Sequence, residues 1–425
     1  MTEVVPAGWD LAGVVCTGGD STVAADGVTV HLDPGEDVVC TFTNVERGSI
    51  TVVKETDPDG GVGFDFRGDL GEFSLGDGGH RLFGSLLPGD YGVTETLPPS
   101  WALDDVVCTG GDGTRITGGV RVHLDPGEDV VCTFTNVERG SITVVKETEP
   151  DGGDGFDFSG DLGAFILDDG GSEVFNSLLP GDYDVIEALP TGWALDGVAC
   201  TDGGGTTIQS GVRVHLDPGE DIVCTFTNVE RGSITVVKET NPDGGTGFDF
   251  SGDLGEFSVG DDGSASFDAL LPGDYDMMED VRVGWDLDGV VCTGGDSTVT
   301  VDGVTVHLDP GEDVVCTFTN VERGSITVVK ETDPDGGTGF DFSGDLGDFT
   351  LDDGGTEVFE DLVAGDYGVM EDVPAGWALE TIICTGGNST NTMGGMTVHL
   401  DPGEDIVCTF TNIQYRCYIP LLFRN

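Results

Sequence analysis

Three residue types in this sequence recur at positions where their side chains could react with one another. The chain contains only four lysines, and each ends a segment that reads SITVVK, on the same side of the alternating pattern as Ile and Val. A glutamate shares that inward position in a Tyr-x-(Val/Met)-x-Glu segment, and an asparagine shares it in a Cys-x-Phe-x-Asn segment. The three types form four sets: Lys54, Glu95 and Asn136; Lys146, Glu187 and Asn228; Lys238, Glu279 and Asn320; and Lys330, Glu371 and Asn412.

An amine, a carboxyl group and an amide buried side by side are costly unless they interact, and a covalent bond removes that cost. Apolar surroundings lower the pKa of an amine and raise the pKa of a carboxyl group. A neutral lysine can then attack the asparagine side-chain carbonyl, while the protonated glutamate polarises that carbonyl and shuttles protons as ammonia leaves. The alternative is a solvated Lys–Glu ion pair at the strand ends, with the asparagine as an edge residue.

The elements that must position these groups belong to a repeated unit of 92 residues. Every tryptophan of the chain follows this spacing: Trp9, Trp101, Trp193, Trp285 and Trp377. Complete units are predicted at 47–138, 139–230, 231–322 and 323–414, while 1–46 matches only the second half of a unit and 415–425 is a tail. A unit of this length is typical of a small autonomous domain in a tandem array. The half-unit has Glu3 and Asn44 but no lysine, so we expect no such bond there within this chain.

Within each unit the apolar residues alternate with a period of two, which indicates β-strands. Seven or so short strands in 92 residues, separated by Gly/Asp turns, predict an all-β, Ig-like sandwich. The segments VRVHL and DVVCTFTN, joined by DPGE, are expected to form a hairpin. Only about five residues link the last strand of one unit to the first strand of the next, so we expect an extended rod.

Ten of the eleven cysteines fall in pairs 24 residues apart: Cys16 and Cys40, Cys108 and Cys132, Cys200 and Cys224, Cys292 and Cys316, and Cys384 and Cys408. Metal sites favour short Cys-x-x-Cys spacing, so one disulfide per unit is the better interpretation, with free buried thiols as the alternative. Disulfides imply an oxidising, extracytoplasmic compartment. No export signal is visible, which together with the half-unit suggests that residue 1 is not the native start. Cys417 has no repeated counterpart.

Composition excludes several classes of function. The formal net charge of −64 disfavours binding to nucleic acids and to anionic membranes, and no apolar run is long enough for a transmembrane helix. We find no nucleophile elbow, P-loop or histidine-based catalytic set, and near-identical units argue against an enzyme. The Asp-rich loops lack the ligand spacing of an EF-hand, so no metal or other cofactor is expected, with Ca²⁺ as the alternative.

The stretches SITVVKETDPDG, GDYGVTETLPPSW and VCTFTN resemble the Cna B-type, or SpaA-like, prealbumin-fold domains of bacterial pilins and surface adhesins. That resemblance covers all four complete units. It implies a prealbumin-like fold and a Lys–Asn isopeptide bond in each unit, assisted by Glu95, Glu187, Glu279 and Glu371. The disulfide, which many relatives lack, could instead have replaced the isopeptide. The tail is similar to short terminal motifs of secreted bacterial proteins, which implies sorting or attachment to the cell envelope, with an ordinary final strand as the alternative.

These observations predict a structural stalk that is secreted or displayed on a bacterial cell surface. Its domains would be stabilised by disulfides and by autocatalytic isopeptide bonds, each formed once without turnover. The alternative is an adhesin whose acidic loops bind a glycan, a host protein or Ca²⁺; the sequence does not identify a surface or matrix ligand.

Overall fold

The computed structural model describes residues 1–415, so the expected roles of Cys417 and of the tail beyond Tyr415 lie outside the described residues. The described chain divides into two compact units, the first containing Met1–Pro190 and Leu195–Asn228 and the second containing Thr191–Ala194 and the chain from Val229 onward. Within residues 1–415 there is no helix long and apolar enough to cross a membrane.

The predicted half-unit and the first complete repeat consist of β-strands. Residues 1–46 contain β1 (Trp9–Thr17), β2 (Asp20–Ala24), β3 (Gly27–His31) and β4 (Val39–Glu46). The first repeat contains β5 (Gly48–Asp57), β6 (Phe64–Gly68), β7 (Phe73–Leu75), β8 (His80–Leu86), β9 (Gly89–Thr96), β10 (Trp101–Thr109), β11 (Asp112–Ile116), β12 (Gly119–Leu124) and β13 (Asp129–Glu138).

The other three repeats have the same order of strands, and the second also has a short 3-10 turn at Thr201–Gly203. The second contains β14 (Gly140–Glu149), β15 (Phe156–Gly160), β16 (Phe165–Leu167), β17 (Ser172–Leu178), β18 (Gly181–Ala188), β19 (Trp193–Cys200), β20 (Gly205–Ile208), β21 (Gly211–Leu216) and β22 (Asp221–Glu230). The third contains β23 (Gly232–Asn241), β24 (Phe248–Gly252), β25 (Phe257–Val259), β26 (Ser264–Leu270), β27 (Gly273–Asp280), β28 (Trp285–Thr293), β29 (Asp296–Val299), β30 (Gly303–Leu308) and β31 (Asp313–Glu322). The fourth contains β32 (Gly324–Asp333), β33 (Phe340–Gly344), β34 (Phe349–Leu351), β35 (Thr356–Leu362), β36 (Gly365–Asp372), β37 (Trp377–Thr385), β38 (Asn388–Thr392), β39 (Gly395–Leu400) and β40 (Asp405–Gln414).

Each complete repeat is a sandwich of a four-stranded and a five-stranded sheet. In the first repeat the strand orders are β10-β13-β5-β8 and β11-β12-β9-β6-β7, and the other repeats follow the same pattern. The first and last strands of the repeat, β5 and β13, are neighbours and run parallel, whereas the other paired strands of this repeat are antiparallel. The all-β sandwich class predicted from the alternating pattern is therefore confirmed.

Two details of the expected strand arrangement are wrong. The VRVHL and DVVCTFTN segments, β12 and β13, do not form a hairpin, because they belong to different sheets of the sandwich. The DPGE turn between them carries the chain from one sheet to the other, and Glu128 closes it by accepting a hydrogen bond from the Asp125 backbone N–H at 2.8 Å. Each complete repeat also has nine strands rather than about seven, since the segments that form β10 and β11 were not recognised as strands.

The core of each sandwich forms because alternate residues of every central strand point inward. Along β5 the buried positions include Ile50 and Val52, with exposures of 0%. The aromatic rings come from both sheets: Phe66 stacks on Phe73 with centroids 4.9 Å apart and meets Phe134 edge-on at 5.1 Å. Such aromatic pairs bury large apolar areas and hold the two sheets together.

Candidate functional site

The three predicted side chains of the first repeat meet in the sandwich because β5 and β13 are adjacent and parallel. In the strand register Lys54 lies opposite Phe134, and Thr56 lies opposite Asn136. Lys54 and Asn136 therefore belong to neighbouring inward rows of the same sheet. Glu95 comes from β9 in the facing sheet, where it pairs with Phe66. The alternation of each strand thus brings the amine, the carboxyl group and the amide together in one buried cluster.

The lysine lies inside the core, where the apolar surroundings disfavour its charged form. The Lys54 residue is 0% exposed, its Nζ lies 4.6 Å from the centroid of the Phe64 ring, and it donates hydrogen bonds to the backbone carbonyls of Glu55 at 2.6 Å and Phe134 at 3.0 Å. Burial lowers the pKa of Lys54 to about 8, although nearby carboxylates, Glu95 first among them, oppose this shift. An amine with this pKa is a competent nucleophile near neutral pH.

The Glu95 carboxyl group lies close to both the lysine amine nitrogen and the asparagine amide nitrogen. Glu95 Oε1 accepts a hydrogen bond from Asn136 Nδ2 at 2.9 Å, and the same oxygen is 3.8 Å from Lys54 Nζ. Burial raises the pKa of the Glu95 carboxyl, with Lys54 and the Asn136 amide acting in the opposite direction. Glu95 Oε2 and Asn136 Oδ1 are buried without a hydrogen-bond partner. Without a covalent bond between the side chains, the cluster therefore contains buried acceptors whose hydrogen-bonding capacity is unused.

The other complete repeats bury the same three residue types together, although the pairs in hydrogen-bond contact differ from repeat to repeat. In the third and fourth repeats the lysine amine contacts the asparagine carbonyl directly, with Lys238 Nζ 3.0 Å from Asn320 Oδ1 and Lys330 Nζ 3.0 Å from Asn412 Oδ1. In the second repeat Lys146 Nζ is 3.7 Å from Glu187 Oε1, which accepts from Asn228 Nδ2 at 2.8 Å. Burial lowers the pKa of each lysine and raises the pKa of each glutamate in these repeats: Lys146, Lys238, Lys330, Glu187, Glu279 and Glu371.

The half-unit at residues 1–46 keeps the glutamate–asparagine part of this arrangement without a lysine. Asn44 Nδ2 donates to Glu3 Oε1 at 2.7 Å, as Asn136 does to Glu95. Within residues 1–46 there is no lysine to act as nucleophile.

A loop that sequence reasoning missed fixes the backbone just after each lysine. The Asp77 carboxylate accepts hydrogen bonds from the backbone N–H groups of Thr56 at 2.8 Å and Gly60 at 2.9 Å. These hydrogen bonds lower the pKa of the Asp77 carboxyl, and the bond from the Gly60 N–H has the larger effect. The same loop is closed in the other repeats by Asp169, Asp261 and Asp353. The sequence does contain a signal that could have identified these aspartates, because one lies 23 residues after each lysine and they recur every 92 residues.

The ten repeated cysteines form five disulfides, each between neighbouring strands of one sheet. In the first repeat Cys108 on β10 lies directly opposite Cys132 on β13. Cys132 is buried, so this disulfide sits at the inner side of the same strand that carries Asn136. The disulfide and the Lys–Glu–Asn cluster are therefore present together in every complete repeat.

The remaining polar residues do not build a second reaction centre. The histidine that recurs at the 92-residue spacing forms an exposed cross-strand pair in each complete repeat, as His123 Nδ1 does with Asp90 Oδ1 at 2.6 Å. One group of carboxylates in residues 1–415 could hold a metal ion, that of Glu239, Asp261 and Asp262. Asp261 already accepts backbone hydrogen bonds that close its loop.

Comparison with known proteins agrees with this architecture. The sequence matches the SpaA-type family described as "prealbumin-like fold domain" over residues 1–46, 50–138, 142–230, 234–322 and 326–414. No curated protein matches the chain.

Several solved structures are similar to the chain at low sequence identity. The Bacillus anthracis TIE protein is 14% identical, with 97% of this chain and 76% of that protein covered and a TM-score of 0.30. BcpA, the major pilin subunit of Bacillus cereus, is 12% identical, with coverage of 65% and 100% and a TM-score of 0.26. The major pilin SpaD of Corynebacterium diphtheriae is 15% identical, with coverage of 66% and 98% and a TM-score of 0.25.

The family match extends over nearly the whole described chain and follows the 92-residue spacing of the repeats. The chain therefore belongs to the SpaA-type family of prealbumin-like fold domains, which it carries in tandem.

Proposed function

We propose that this protein is a secreted or cell-surface stalk whose complete repeats are each closed by a Lys–Asn isopeptide bond. The observation that carries the proposal is the position of one carboxyl oxygen. Glu95 Oε1 lies within 4 Å of both the nitrogen that would attack, Lys54 Nζ, and the nitrogen that would leave, Asn136 Nδ2. A single group in this position can take a proton from the first nitrogen and deliver one to the second.

The reaction balances without a cofactor or a change of oxidation state. Neutral Lys54 Nζ attacks Asn136 Cγ and forms a new C–N bond. Glu95, whose raised pKa favours the protonated form, gives its proton to Nδ2 and receives one from the attacking nitrogen. The old C–N bond breaks, and ammonia departs. The products are a secondary amide and ammonia, and the apolar core no longer contains a lysine amine that can carry a charge. Each site reacts once, so the chemistry is maturation of the protein rather than turnover.

The strand topology explains what such a bond would do mechanically. The chain enters the first repeat at the start of β5 and leaves it at the end of β13, and these two strands are parallel neighbours. Tension applied to the two ends therefore shears β5 against β13. A bond from Lys54 to Asn136 would pass the load directly from one strand to the other, so the residues between them would carry none of it. The disulfide of Cys108 and Cys132 lies inside that unloaded segment.

Contacts at the junction of neighbouring repeats support a load-bearing role within the first compact unit. The Arg139 backbone N–H donates to the Ser100 backbone carbonyl of the first repeat at 2.7 Å, and the Arg139 guanidinium donates to the Ser177 carbonyl of the second at 2.9 Å. The Gly219 N–H also donates to the Glu138 carbonyl at 3.1 Å. These bonds tie the linker to the domain on either side of it and restrict hinge motion there.

An extracellular, bacterial cell-surface location is supported by the five disulfides, which persist in oxidising environments. A structural rather than enzymatic role is supported by the repetition of the same buried cluster, which is closed off from substrates in every complete repeat.

Intact mass after full reduction tests the proposal. Each isopeptide bond removes ammonia, about 17 Da, so four bonds make the chain about 68 Da lighter than its sequence. The Glu95→Gln variant should lose one bond and appear about 16 Da heavier than the wild type, because Gln is itself about 1 Da lighter than Glu.

An Asn136→Asp variant supplies the matched control. If the aspartate reacts, water leaves instead of ammonia and the product is chemically identical to the wild type, so the two masses should agree. A reduced wild-type chain with the full sequence mass would refute the isopeptide proposal and leave a stalk held by disulfides alone.

A further inference from the structure

One peptide group, between Glu55 and Thr56, contacts both the lysine of the cluster and the aspartate of the neighbouring turn. Its carbonyl oxygen, on Glu55, accepts a hydrogen bond from Lys54 Nζ at 2.6 Å. Its N–H group, on Thr56, donates to Asp77 Oδ1 at 2.8 Å. Because a trans peptide group is planar and its C=O and N–H point in opposite directions, a carboxylate that fixes the N–H also fixes the carbonyl. Asp77 therefore sets the direction of the carbonyl that holds the lysine amine.

The direction of this carbonyl matters because it decides where the lone pair of the amine points. A second carbonyl, that of Phe134 on β13, accepts from Lys54 Nζ at 3.0 Å. A neutral amine has two N–H groups and one lone pair, so the Glu55 and Phe134 carbonyls together occupy both N–H groups. The lone pair is then the part of the amine that is left to meet its remaining polar neighbours. These are the Glu95 carboxyl, 3.8 Å from Nζ, and the Asn136 amide that this carboxyl binds.

The other complete repeats contain the same connection. In each, the lysine Nζ donates to the carbonyl of the following residue at 2.7 or 2.8 Å, and the next N–H donates to the aspartate at 2.7 or 2.8 Å. The residues are Lys146, Glu147, Thr148 and Asp169; Lys238, Glu239, Thr240 and Asp261; and Lys330, Glu331, Thr332 and Asp353. Hydrogen bonds from the loop backbone lower the pKa of each aspartate, which favours the anion. An anion on the N–H side polarises the peptide group and makes its carbonyl a stronger acceptor.

We propose that Asp77 and its equivalents are positioning residues for isopeptide formation. The inference rests on the proposed Lys–Asn bond and adds a residue to its mechanism. Asp77 acts through the peptide group, and no bond is made or broken at its carboxylate. It holds the Glu55 carbonyl in the direction that keeps one N–H of the amine occupied, and so aims the lone pair of Lys54 at the Asn136 side chain.

The rate of bond formation in an Asp77→Asn variant tests this inference. Asn keeps the shape of the side chain but replaces one of the two acceptor oxygens by a donor. The full chain is expressed as inclusion bodies, dissolved in guanidinium, shown by intact mass to be free of bonds, and refolded in oxidising buffer at about pH 5.5. The Lys54 amine has a pKa of about 8, so it is almost wholly protonated there and reacts slowly.

A jump to about pH 9 then starts the reaction in chains that have already folded. Mass spectrometry of proteolytic peptides follows the bond of each repeat separately. The first-repeat bond should form about 10- to 100-fold more slowly in Asp77→Asn than in the wild type, because a small misplacement of a reacting group costs this much in rate. The other three repeats of the same molecule should keep their wild-type rates.

The matched control is Asp69→Asn, which removes the same charge from the same repeat. Asp69 Oδ2 also accepts a backbone hydrogen bond, from the Gly92 N–H at 2.7 Å, but Gly92 lies in the five-stranded sheet and is not part of the loop that follows the lysine. This variant should form the first-repeat bond at the wild-type rate.

The dependence of the rate on pH separates positioning from the effect of charge. The carboxylates that raise the pKa of the Lys54 amine are Glu95, then Asp77 and Glu55. Loss of the Asp77 charge alone would therefore lower the lysine pKa and speed the reaction near neutral pH, with an unchanged rate at high pH. Positioning predicts a slower reaction at every pH, including pH values above the lysine pKa, where the amine is already neutral.

The outcomes separate this inference from the proposed function. A first repeat of Asp77→Asn that reacts at the wild-type rate, or whose pH profile only shifts to lower pH, would overturn the inference and leave the isopeptide proposal intact. Absence of bonds from every repeat of the wild type would overturn both. Circular dichroism and tryptophan fluorescence must match the wild type before the pH jump. If Asp77→Asn does not meet this condition, Asp169→Asn applies the same test to the second repeat, with the first repeat as the internal reference.

Discussion

Replacing Glu95 with Gln should leave Lys54 unbonded in the core of the first repeat and make the stability of that repeat rise in alkaline solution. Gln keeps the shape of the side chain but cannot transfer a proton from the lysine to the asparagine nitrogen. The lysine then remains a buried amine. Burial lowers its pKa from the ordinary 10.5 to about 8 in the presence of the Glu95 carboxylate, and replacement of that carboxylate by Gln removes an interaction that keeps the pKa from falling further. The wild-type cross-linked repeat would contain no titrating amine at this position.

The sign and size of the effect follow from proton binding. Between about pH 8 and pH 10.5 the unfolded chain keeps the proton on Lys54, whereas the folded repeat has released it. The free energy of unfolding therefore increases with pH through this window and levels off above the unfolded pKa. From about pH 7 to pH 10 the increase amounts to at least ~2.5 kcal/mol.

Trp101 reports on the first repeat because its ring meets Phe64 edge-on, with centroids 5.4 Å apart. The assay is urea unfolding followed by the fluorescence of Trp101 after the other four tryptophans are replaced by Phe: Trp9, Trp193, Trp285 and Trp377. Replacement of Cys417 by Ser prevents thiol exchange at high pH.

The matched control is Glu187→Gln, which alters the second repeat and should leave the Trp101 transition independent of pH. A Glu95→Gln midpoint that does not move between the two pH values would refute the reasoning. So would a wild-type midpoint that moves equally, because that would mean the amine is free in both proteins.

Three further perturbations have defined outcomes. Replacing Cys108 and Cys132 together with Ala should lower the free energy of unfolding of the first repeat by about 3 kcal/mol, because the disulfide closes a loop of roughly 25 residues; an unchanged urea midpoint would contradict this. The hydrogen bond to Asp90 raises the pKa of His123, so its contribution favours folding below the ordinary histidine pKa and is lost as the pH rises through the folded value. NMR titration should show that elevated pKa, and Asp90→Asn should remove it. Asp262→Gly, which restores the residue found at this position in the other complete repeats, should respond to millimolar CaCl₂ as the wild type does; a rise in melting temperature confined to the wild type would reveal a calcium site.

Local patterns predicted much of the cluster. Alternation with a period of two is a property of single strands, so it was sufficient to place Lys54, Glu95 and Asn136 on inward sides. The structure adds the distances, which depend on β5 and β13 becoming parallel neighbours although Lys54 and Asn136 are separated by most of a repeat. Such non-local pairing leaves no mark in either strand alone.

The wrong hairpin has a related cause. A DPGE turn has the same local requirements whether the chain folds back beside itself or crosses to the opposite sheet, so β12 and β13 could not be assigned to sheets from their own residues. Asp77 was overlooked for a different reason. Its function depends on reaching back to the backbone of Thr56 and Gly60, and the sequence around it resembles an ordinary solvated turn.

The burial of every lysine has a practical consequence for anyone handling this protein. All four lysines are 0% exposed, so acylating dyes, biotin esters and aldehyde fixatives would find no accessible lysine amine on the folded repeats. Labels and solid supports that couple through lysine would therefore attach to these repeats only after they unfold.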